Sequence, residues 1–309
     1  MNKFNIFFFS LITSVLIFQA SILYSEEPGW QWLNPKPQGN GVSSIYFTSD
    51  LVGYAATRSN TVMKTIDGGI SWELIYIPDE IYLGEIQFLN SQTGYICTGS
   101  NKLVKTTNAG ENWEVITALR PNLKFRNISF QDVNTGYATY DSLYNRKFFA
   151  GKTTDGGLTW AEIKSDTFIY YSKIRINGDN VFLAYSSDTT FSNYVTYLYK
   201  SIDGGNSWLY ITNFIKGVRE MTFSSSDTGY IYLSTFVNSG SSNTFKTTDG
   251  GNNWNIIDQN RPGYSFQVIN NNDILQADLG YSGNIFYSSN GGNMWQTIPI
   301  PNPPQFYFG

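Results

Sequence analysis

The stretch KTTDGGLTW, from Lys152 to Trp160, decides the fold because close copies of it recur along the 309-residue chain. Six copies occur, and their tryptophans are spaced 41, 47, 48, 46 and 41 residues apart. Such a period identifies a repeat architecture before any other feature is considered. The copies are KTIDGGISW (64–72), KTTNAGENW (105–113), KTTDGGLTW (152–160), KSIDGGNSW (200–208), KTTDGGNNW (246–254) and YSSNGGNMW (287–295).

A second motif precedes four of the six copies: an apolar strand that ends in phenylalanine, followed six positions later by a glycine and then a tyrosine. Before copies four and six, KIRINGDNVF and SFQVINNNDIL have a shorter turn. Each repeat therefore predicts four strands, a to d, with a D-G-G turn between c and d. The phenylalanine–glycine pairs are Phe47 and Gly53, Phe88 and Gly94, Phe130 and Gly136, and Phe223 and Gly229.

A period of about 40–45 residues with four strands per unit is typical of one β-propeller blade. We therefore predict an all-β fold, a single propeller of four-stranded antiparallel blades. Six repeats favour six blades. A seventh blade is the alternative, because the segment GWQWLNPKPQGNG before the first repeat resembles one more outer strand, which could also close the ring against the last blade.

The pattern S/T-x-D-x-G-x-S/T-W resembles the Asp-box, or bacterial neuraminidase repeat. Together with the I-x-F…G-Y half of each repeat, the chain is most similar to the propellers of photosystem II assembly and stability factors and their secreted relatives, over about residues 30 to 298. Copies two and six depart from the pattern, with Asn108 and Asn290 in place of Asp, and copies five and six replace the Ser/Thr by Asn253 and Met294. The resemblance implies a binding or assembly module.

A motif present in every repeat is expected to be scaffold, because chemistry usually needs one site. Its carboxylates should accept hydrogen bonds from amides of the c–d turn, its glycines should adopt positive φ, and its tryptophans should pack between sheets. Calcium is the alternative ligand of the carboxylates, but it takes about six to eight oxygens and each turn offers one carboxylate. We expect no metal and no cofactor. The structural residues are Asp67, Asp155, Asp203, Asp249, Trp72, Trp113, Trp160, Trp208, Trp254 and Trp295.

Composition excludes several functional classes. Charged residues make up 14% of the chain and the net charge is −4, which argues against nucleic acid. Histidine is absent, which removes the commonest general base and the commonest metal ligand. Cys97 is the single cysteine, so no intrachain disulfide can form, and we expect it to be a packed strand residue.

The N-terminus has the layout of a secretory signal peptide: Lys3, an apolar run from Phe4 to Tyr24, and then Glu26 and Glu27. We predict a signal peptide over residues 1–25, a propeller over 26–309, and a secreted, periplasmic or cell-surface location. An uncleaved membrane anchor is the alternative, since the run is nearly long enough to span a bilayer.

Loop lengths suggest where a partner would bind. The b–c and d–a loops share the face opposite the D-G-G turns, and the b–c loops of repeats three to five are longer than those of repeats one and two. These loops carry aromatic and polar side chains suited to recognition. Two arginines precede strand a and should lie near the channel mouth, where they could clamp a carboxylate or sulfate or pair with Glu85 and Glu220. The candidate binding residues are Arg126, Arg219, Tyr140, Tyr144, Arg146, Phe191, Tyr194 and Phe236.

We therefore expect a non-catalytic, extracytoplasmic propeller that binds a protein or glycan partner and is a monomer. The alternative is a glycoside hydrolase, sialidase-like or xyloglucan-cleaving. Against it, the F/Y-R-I-P motif of sialidases is absent, and no carboxylate outside the repeated motif stands out as one of a catalytic pair.

Overall fold

The computed structural model describes residues 41–77, 82–117, 119–142, 147–167, 169–188, 194–235, 241–263, 265–277 and 284–298, all within one compact unit, Leu33–Pro299. These residues form six four-stranded antiparallel sheets, each built from four consecutive strands. The prediction of an all-β propeller with six blades is confirmed. Blade one is β1–β4, blade two β5–β8, and so on to blade six, β21–β24.

The strands of blades one to three are β1 (Val42–Phe47), β2 (Gly53–Thr57), β3 (Thr61–Thr65), β4 (Glu73–Tyr76), β5 (Leu83–Phe88), β6 (Gly94–Thr98), β7 (Lys102–Thr106), β8 (Glu114–Thr117), β9 (Leu123–Phe130), β10 (Gly136–Ser142), β11 (Lys147–Thr153) and β12 (Ala161–Thr167). Those of blades four to six are β13 (Ile169–Asn177), β14 (Asn180–Asp188), β15 (Tyr194–Ser201), β16 (Leu209–Ile215), β17 (Gly217–Phe223), β18 (Gly229–Ser234), β19 (Ser241–Thr247), β20 (Asn255–Pro262), β21 (Ser265–Val268), β22 (Ile274–Ala277), β23 (Ile285–Ser288) and β24 (Gln296–Ile298).

The repeated phenylalanine and glycine are partners across strands a and b. In blade three, Phe130 pairs with Gly136, and a Cβ placed on Gly136 would lie 2.5 Å from the Phe130 ring. The aromatic ring therefore occupies the space that any larger residue would need. The same close approach occurs at Gly53, Gly94 and Gly229. This contact explains why the two residues recur at a fixed spacing.

The D-G-G turn is closed by its aspartate. In blade three, Asp155 Oδ1 accepts from the amide of Thr159 at 2.9 Å and Oδ2 from its hydroxyl at 2.6 Å, while Thr153 donates to Oδ1. Hydrogen bonds from Thr159 are the main cause of a lowered Asp155 pKa, about 2. Gly157 has φ of 96°, and its carbonyl accepts from the Trp160 indole.

The asparagines that replace aspartate in copies two and six keep the turn amide satisfied. Asn108 Oδ1 accepts from the amide of Asn112 at 3.0 Å, and Asn290 Oδ1 accepts from the amide of Met294 at 2.8 Å. A neutral amide oxygen thus replaces the carboxylate oxygen without loss of this bond, so both copies still form the turn.

The a–b and c–d turns of a blade lie on the same face of the ring. Backbone hydrogen bonds join them, as between the amide of Gly156 and the carbonyl of Asn134. We call this side the turn face and the side with the b–c and d–a loops the loop face. The assignment follows from antiparallel strand order, which makes connections alternate between the two sides.

Aromatic residues join successive blades. The strand-b aromatic residue of a blade lies against the strand-a phenylalanine of the next at three boundaries: Tyr54 on Phe88, Tyr95 on Phe130 with centroids 3.8 Å apart and planes within 5°, and Phe182 on Phe223. Apolar clusters fill each interface from blade one to blade six, and five of the motif tryptophans belong to them or pack against them. The five are Trp113, Trp160, Trp208, Trp254 and Trp295.

In blades one to five a lysine of strand c lies over the strand-b aromatic ring, which is Phe182 in blade four and a tyrosine in the others. Lys152, the first residue of the motif in blade three, lies over the Tyr137 ring and donates to the carbonyl of Gly204 in the turn of blade four. Lys200 and Lys246 reach the next turn in the same manner. Blade six lacks this pair, because Leu275 and Tyr287 stand at the two positions.

Cys97 lies in β6 and is buried, as expected, and burial raises the pKa of its thiol to about 12. Where the structure describes the chain between residues 41 and 298, none of it forms a helix long and apolar enough to cross a bilayer.

Candidate functional site

The innermost strands of all six blades surround a central cavity of about 590 Å³. Strand a of each blade lines it, so β1, β5, β9, β13, β17 and β21 each contribute side chains. The lining is largely polar, with serine, glutamine and charged groups set between isoleucine and phenylalanine. A concave feature lined by convergent polar groups is the first place to look for a site.

Four charged side chains from three blades form an ion-pair cluster in the channel. Arg175 Nη2 lies 2.5 Å from Glu85 Oε1 and 2.8 Å from Glu220 Oε1. Lys173 Nζ lies 3.0 Å from Glu220 Oε2 and 3.7 Å from Glu85 Oε2. Asn127 completes the cluster, since its amide donates to Glu85 and its oxygen accepts from Arg175 Nη1 at 2.8 Å. Blades two, three, four and five are thereby linked.

The cluster is electrically balanced, with two cations and two anions. Burial alone would raise the pKa of Glu220, but the charges of Lys173 and Arg175 outweigh it and the pKa is lowered. Burial would likewise lower the pKa of Lys173, but Glu220 and Glu85 outweigh it and the pKa is raised. Glu220 and Lys173 are thus held in their charged forms at neutral pH.

The sequence-based reasoning missed Lys173 and Arg175. A usable signal existed, because aligning the repeats on strand a puts Lys173 at the same position as Glu85, Asn127 and Glu220. Side chains at one position of strand a meet around the channel of a propeller. Opposite charges at that position in different repeats would therefore have predicted the ion pairs.

The two predicted arginines have other partners than these glutamates. Arg126 lines the channel and pairs with Asp141, with Nη2 to Oδ2 at 2.7 Å, and its side chain is 44% exposed. Arg219 stacks over the Tyr171 ring at 4.5 Å and donates from Nε to Ser234 Oγ at 2.8 Å. Arg219 is not part of the channel lining.

The predicted exposure of Tyr140 is wrong. Tyr140 lies within β10, is 4% exposed, and stacks on Phe149 with centroids 5.4 Å apart. The reason is that much of the extra length in repeats three to five extends strands b and c instead of forming loop. Burial also raises the pKa of Tyr140 to about 12.

Tyr194 begins β15, is half-buried, and meets the Tyr171 ring edge to face at 5.7 Å. Arg219, Tyr171 and Tyr194 therefore form one continuous surface on the loop face, at the junction of blades four and five. The remaining predicted binding residues lie outside the described residues: Tyr144, Arg146, Phe191 and Phe236.

The chemistry available in the channel is recognition by hydrogen bonds and charge. A general acid needs a raised carboxyl pKa, whereas that of Glu220 is lowered and its proton is already lost. Within the part of the chain that the structure describes, no three His, Cys, Asp or Glu side chains are grouped as a metal site. The motif aspartates are committed to their own turns.

Fold and site together define a six-bladed propeller with repeated D-G-G turns and a charge-balanced channel. The family model described as "Photosynthesis system II assembly factor YCF48" matches residues 25–201, and the chain belongs to this family. No curated protein sequence matches the chain significantly.

Solved structures share the fold. A structure of YCF48 bound to a D1 peptide has a TM-score of 0.58 and 19% identity, covering 84% of this chain and 83% of that one. YCF48 from Cyanidioschyzon merolae has a TM-score of 0.62 and 15% identity, covering 86% and 87%. A GH74 xyloglucanase from Xanthomonas campestris has a TM-score of 0.61 and 13% identity, covering 84% of this chain and 45% of that one.

Proposed function

We propose that the protein is a non-catalytic, extracytoplasmic propeller that binds a protein segment and serves in assembly or cell-surface interaction. Membership of the YCF48 family carries the proposal. A solved structure of similar fold is that of YCF48 bound to a D1 peptide, which supports a protein segment as the ligand of this chain. The extracytoplasmic location rests on the signal-like sequence of residues 1–25.

The loop face at blades four and five is the proposed docking surface. Arg219 and Tyr194 offer there a cation and aromatic rings, the combination enriched at protein interfaces. Arg126 lines the channel in blade three. We include Tyr144, Arg146, Phe191 and Phe236 on the basis of sequence alone. The same surface would accept a glycan, which stacks on aromatic rings, and a glycan is the second candidate ligand.

The charge balance of the channel favours binding over catalysis. A glycosidase of the usual kind needs one carboxylic acid that keeps its proton near neutral pH. Both channel carboxylates are instead held by Arg175. We therefore expect no turnover of sialosides, xyloglucan or other β-glucans by the purified protein, and hydrolysis of any of them would contradict the proposal.

The direct test is affinity capture from the native envelope fraction with the full chain as bait, followed by binding measurements on the partner obtained. Arg219→Gln and Tyr194→Ala should each weaken binding about tenfold, since desolvated arginine and aromatic contacts dominate interfaces. Arg58→Gln is the matched control, because Arg58 is an exposed arginine on the loop face of blade one, where the b–c loop is short. Equal losses for Arg58→Gln and Arg219→Gln would refute this docking surface.

A further inference from the structure

The outermost strand of each blade is a sheet edge, because its outward N–H and C=O groups bond no further strand among the residues that the structure describes. The six edges are β4, β8, β12, β16, β20 and β24. Two copies of a protein can pair through such edges unless the edge strand is short or carries charged residues or proline. The six edges differ in these features.

Five of the edges are protected. β4 and β8 have four residues each and begin with glutamate, and β24 has three residues. β12 has seven residues, but Glu162, Lys164 and Asp166 are charged. β20 has eight residues, ends with Arg261 and Pro262, and shifts register twice in its pairing with β19. Each of these strands is therefore a poor template for a second copy.

β16, in blade four, is both long and uncharged. Its sequence, LYITNFI, has seven residues without a charged group or a proline. Tyr210 and Thr212 lie two and four residues after the motif tryptophan, where β12 has Glu162 and Lys164. The pairing of β16 with β15 has one register shift, at Ile211, so residues 212–215 form a regular edge.

The side chains at the two ends of β16 are apolar and exposed. Leu209 is 66% exposed and Ile215 is 75% exposed. Lys216 follows the strand but does not protect it, because the residue is 8% exposed and its ammonium donates to Asn243 Oδ1 in blade five at 2.8 Å. The edge therefore combines outward backbone groups with apolar side chains that a second strand would cover.

The absence of charge on β16 favours a second copy of the same strand as its occupant. Like charges directly opposite each other destabilise a strand pair, and two copies of β16 bring none together. Antiparallel pairing of identical strands about a two-fold axis is self-complementary, since each copy offers the groups that the other needs. Because only one of the six edges lacks protection, the assembly would close at two copies.

We propose that the β16 edges of two copies of this chain pair in antiparallel fashion, so that the two fourth blades form one continuous sheet. This dimer goes beyond the binding function proposed above and departs from the monomer expected from the sequence. β16 runs from the turn face to the loop face, so antiparallel pairing directs the loop faces of the two copies to opposite sides. The dimer would therefore present its two loop faces away from each other.

Light scattering after size-exclusion chromatography of the full chain tests the proposal, and we expect a doubled mass that falls on dilution. Asn213 is exposed and lies within the regular part of β16. Asn213→Lys and Asn213→Glu should each weaken the dimer about 100-fold, because they bring like charges together at the interface. An equimolar mixture of the two variants should recover the doubled mass, because opposite charges then meet.

Thr167→Lys is the matched control for Ile215→Lys. Both residues are exposed and lie seven positions after the motif tryptophan of their repeat, but Thr167 belongs to β12. Ile215→Lys should give the mass of a single copy, whereas Thr167→Lys should leave the doubled mass unchanged. Both positions are exposed, so the melting temperatures, measured at a dilution where the parent is monomeric, should match that of the parent.

Four results would overturn the proposal. A parent with the mass of a single copy at concentrations up to about 0.1 mM would show that the edges do not pair. A doubled mass that Asn213→Lys leaves unchanged would place the interface elsewhere. A mixture of Asn213→Lys and Asn213→Glu that stays monomeric would show that β16 does not face β16. A monomeric parent that binds a labelled LYITNFI peptide, with binding lost in Asn213→Lys, would assign the edge to a strand of another protein.

Discussion

Replacing Gly136 by alanine tests whether the glycine and phenylalanine of each repeat are constrained by contact. The new Cβ would lie 2.5 Å from the Phe130 ring, well inside van der Waals distance. That ring cannot move freely, because Tyr95 stacks on it at 3.8 Å and Trp160 meets it edge to face at 6.0 Å. Overpacking of this kind costs about 1–3 kcal/mol. Alanine also leaves the unfolded chain fewer conformations than glycine does, and this stabilises the folded state by about 0.4–1 kcal/mol and offsets part of the loss. We expect a net loss of about 1–2 kcal/mol in the free energy of unfolding.

Urea denaturation followed by tryptophan fluorescence measures the change, with the slope of the transition checked for constancy. Gly99→Ala is the control, because its Cβ would lie 3.7 Å from the nearest atom, in Tyr82, which is ordinary contact. It should change stability by less than about 0.5 kcal/mol. Phe130→Leu in the Gly136→Ala background should recover part of the loss, because the smaller side chain gives the Cβ room.

Two outcomes would refute this reasoning. If Gly136→Ala were as stable as the parent, the close approach of the ring would not constrain residue 136. If Gly136→Ala and Phe130→Leu were strictly additive in a double-mutant cycle, the two residues would not interact in the way that their distance implies.

Three further predictions concern charge. Arg175→Met should lower the free energy of unfolding by about 1–3 kcal/mol. This loss is smaller than that for a fully buried ion pair, because the four side chains of the cluster are 17–27% exposed. Arg58→Met is the control and should leave the free energy of unfolding unchanged. The folded-state pKa is lowered to about 2 at four motif aspartates, Asp67, Asp155, Asp203 and Asp249. The stability that these carboxylates contribute, measured by urea denaturation, should therefore be fully present above about pH 4 and be lost as the pH falls toward 2. A free energy of unfolding that stays constant from about pH 5 to pH 2 would contradict this. The melting temperature should be the same in calcium and in chelator, since each turn aspartate already accepts bonds from its own turn; a marked rise with calcium would show that the turns bind the ion.

The repeated elements could be predicted from sequence because each is defined by local contacts. The D-G-G turn is closed within nine residues, as the bonds from Thr159 and Thr153 to Asp155 show, so its pattern is complete in each copy. The spacing of the copies then determines the number of blades. Even the asparagine copies fold alike, because the acceptor oxygen is retained.

The candidate site was harder to predict because its contacts join distant repeats. Arg175 and Glu85 are 90 residues apart in the chain and meet only because the ring closes around the channel. The prediction for Tyr140 is wrong for another reason: the extra length between two motifs predicts a longer loop, whereas strands b and c of blade three each have seven residues and bury Tyr140. Length alone does not distinguish a longer hairpin from a longer loop.

The tyrosine and lysine that join successive blades both point toward the C-terminal neighbour, which gives the ring a direction during synthesis. When blade three leaves the ribosome, Lys152 lacks the carbonyl that accepts its hydrogen bond until the turn containing Gly204 has been made. Each blade is therefore completed by the one translated after it. A chain that stops after blade three, four or five therefore ends with a lysine whose carbonyl acceptor has not been made and with an aromatic ring that the next blade has not covered. The series ends in blade six, where Leu275 and Tyr287 stand at the two positions.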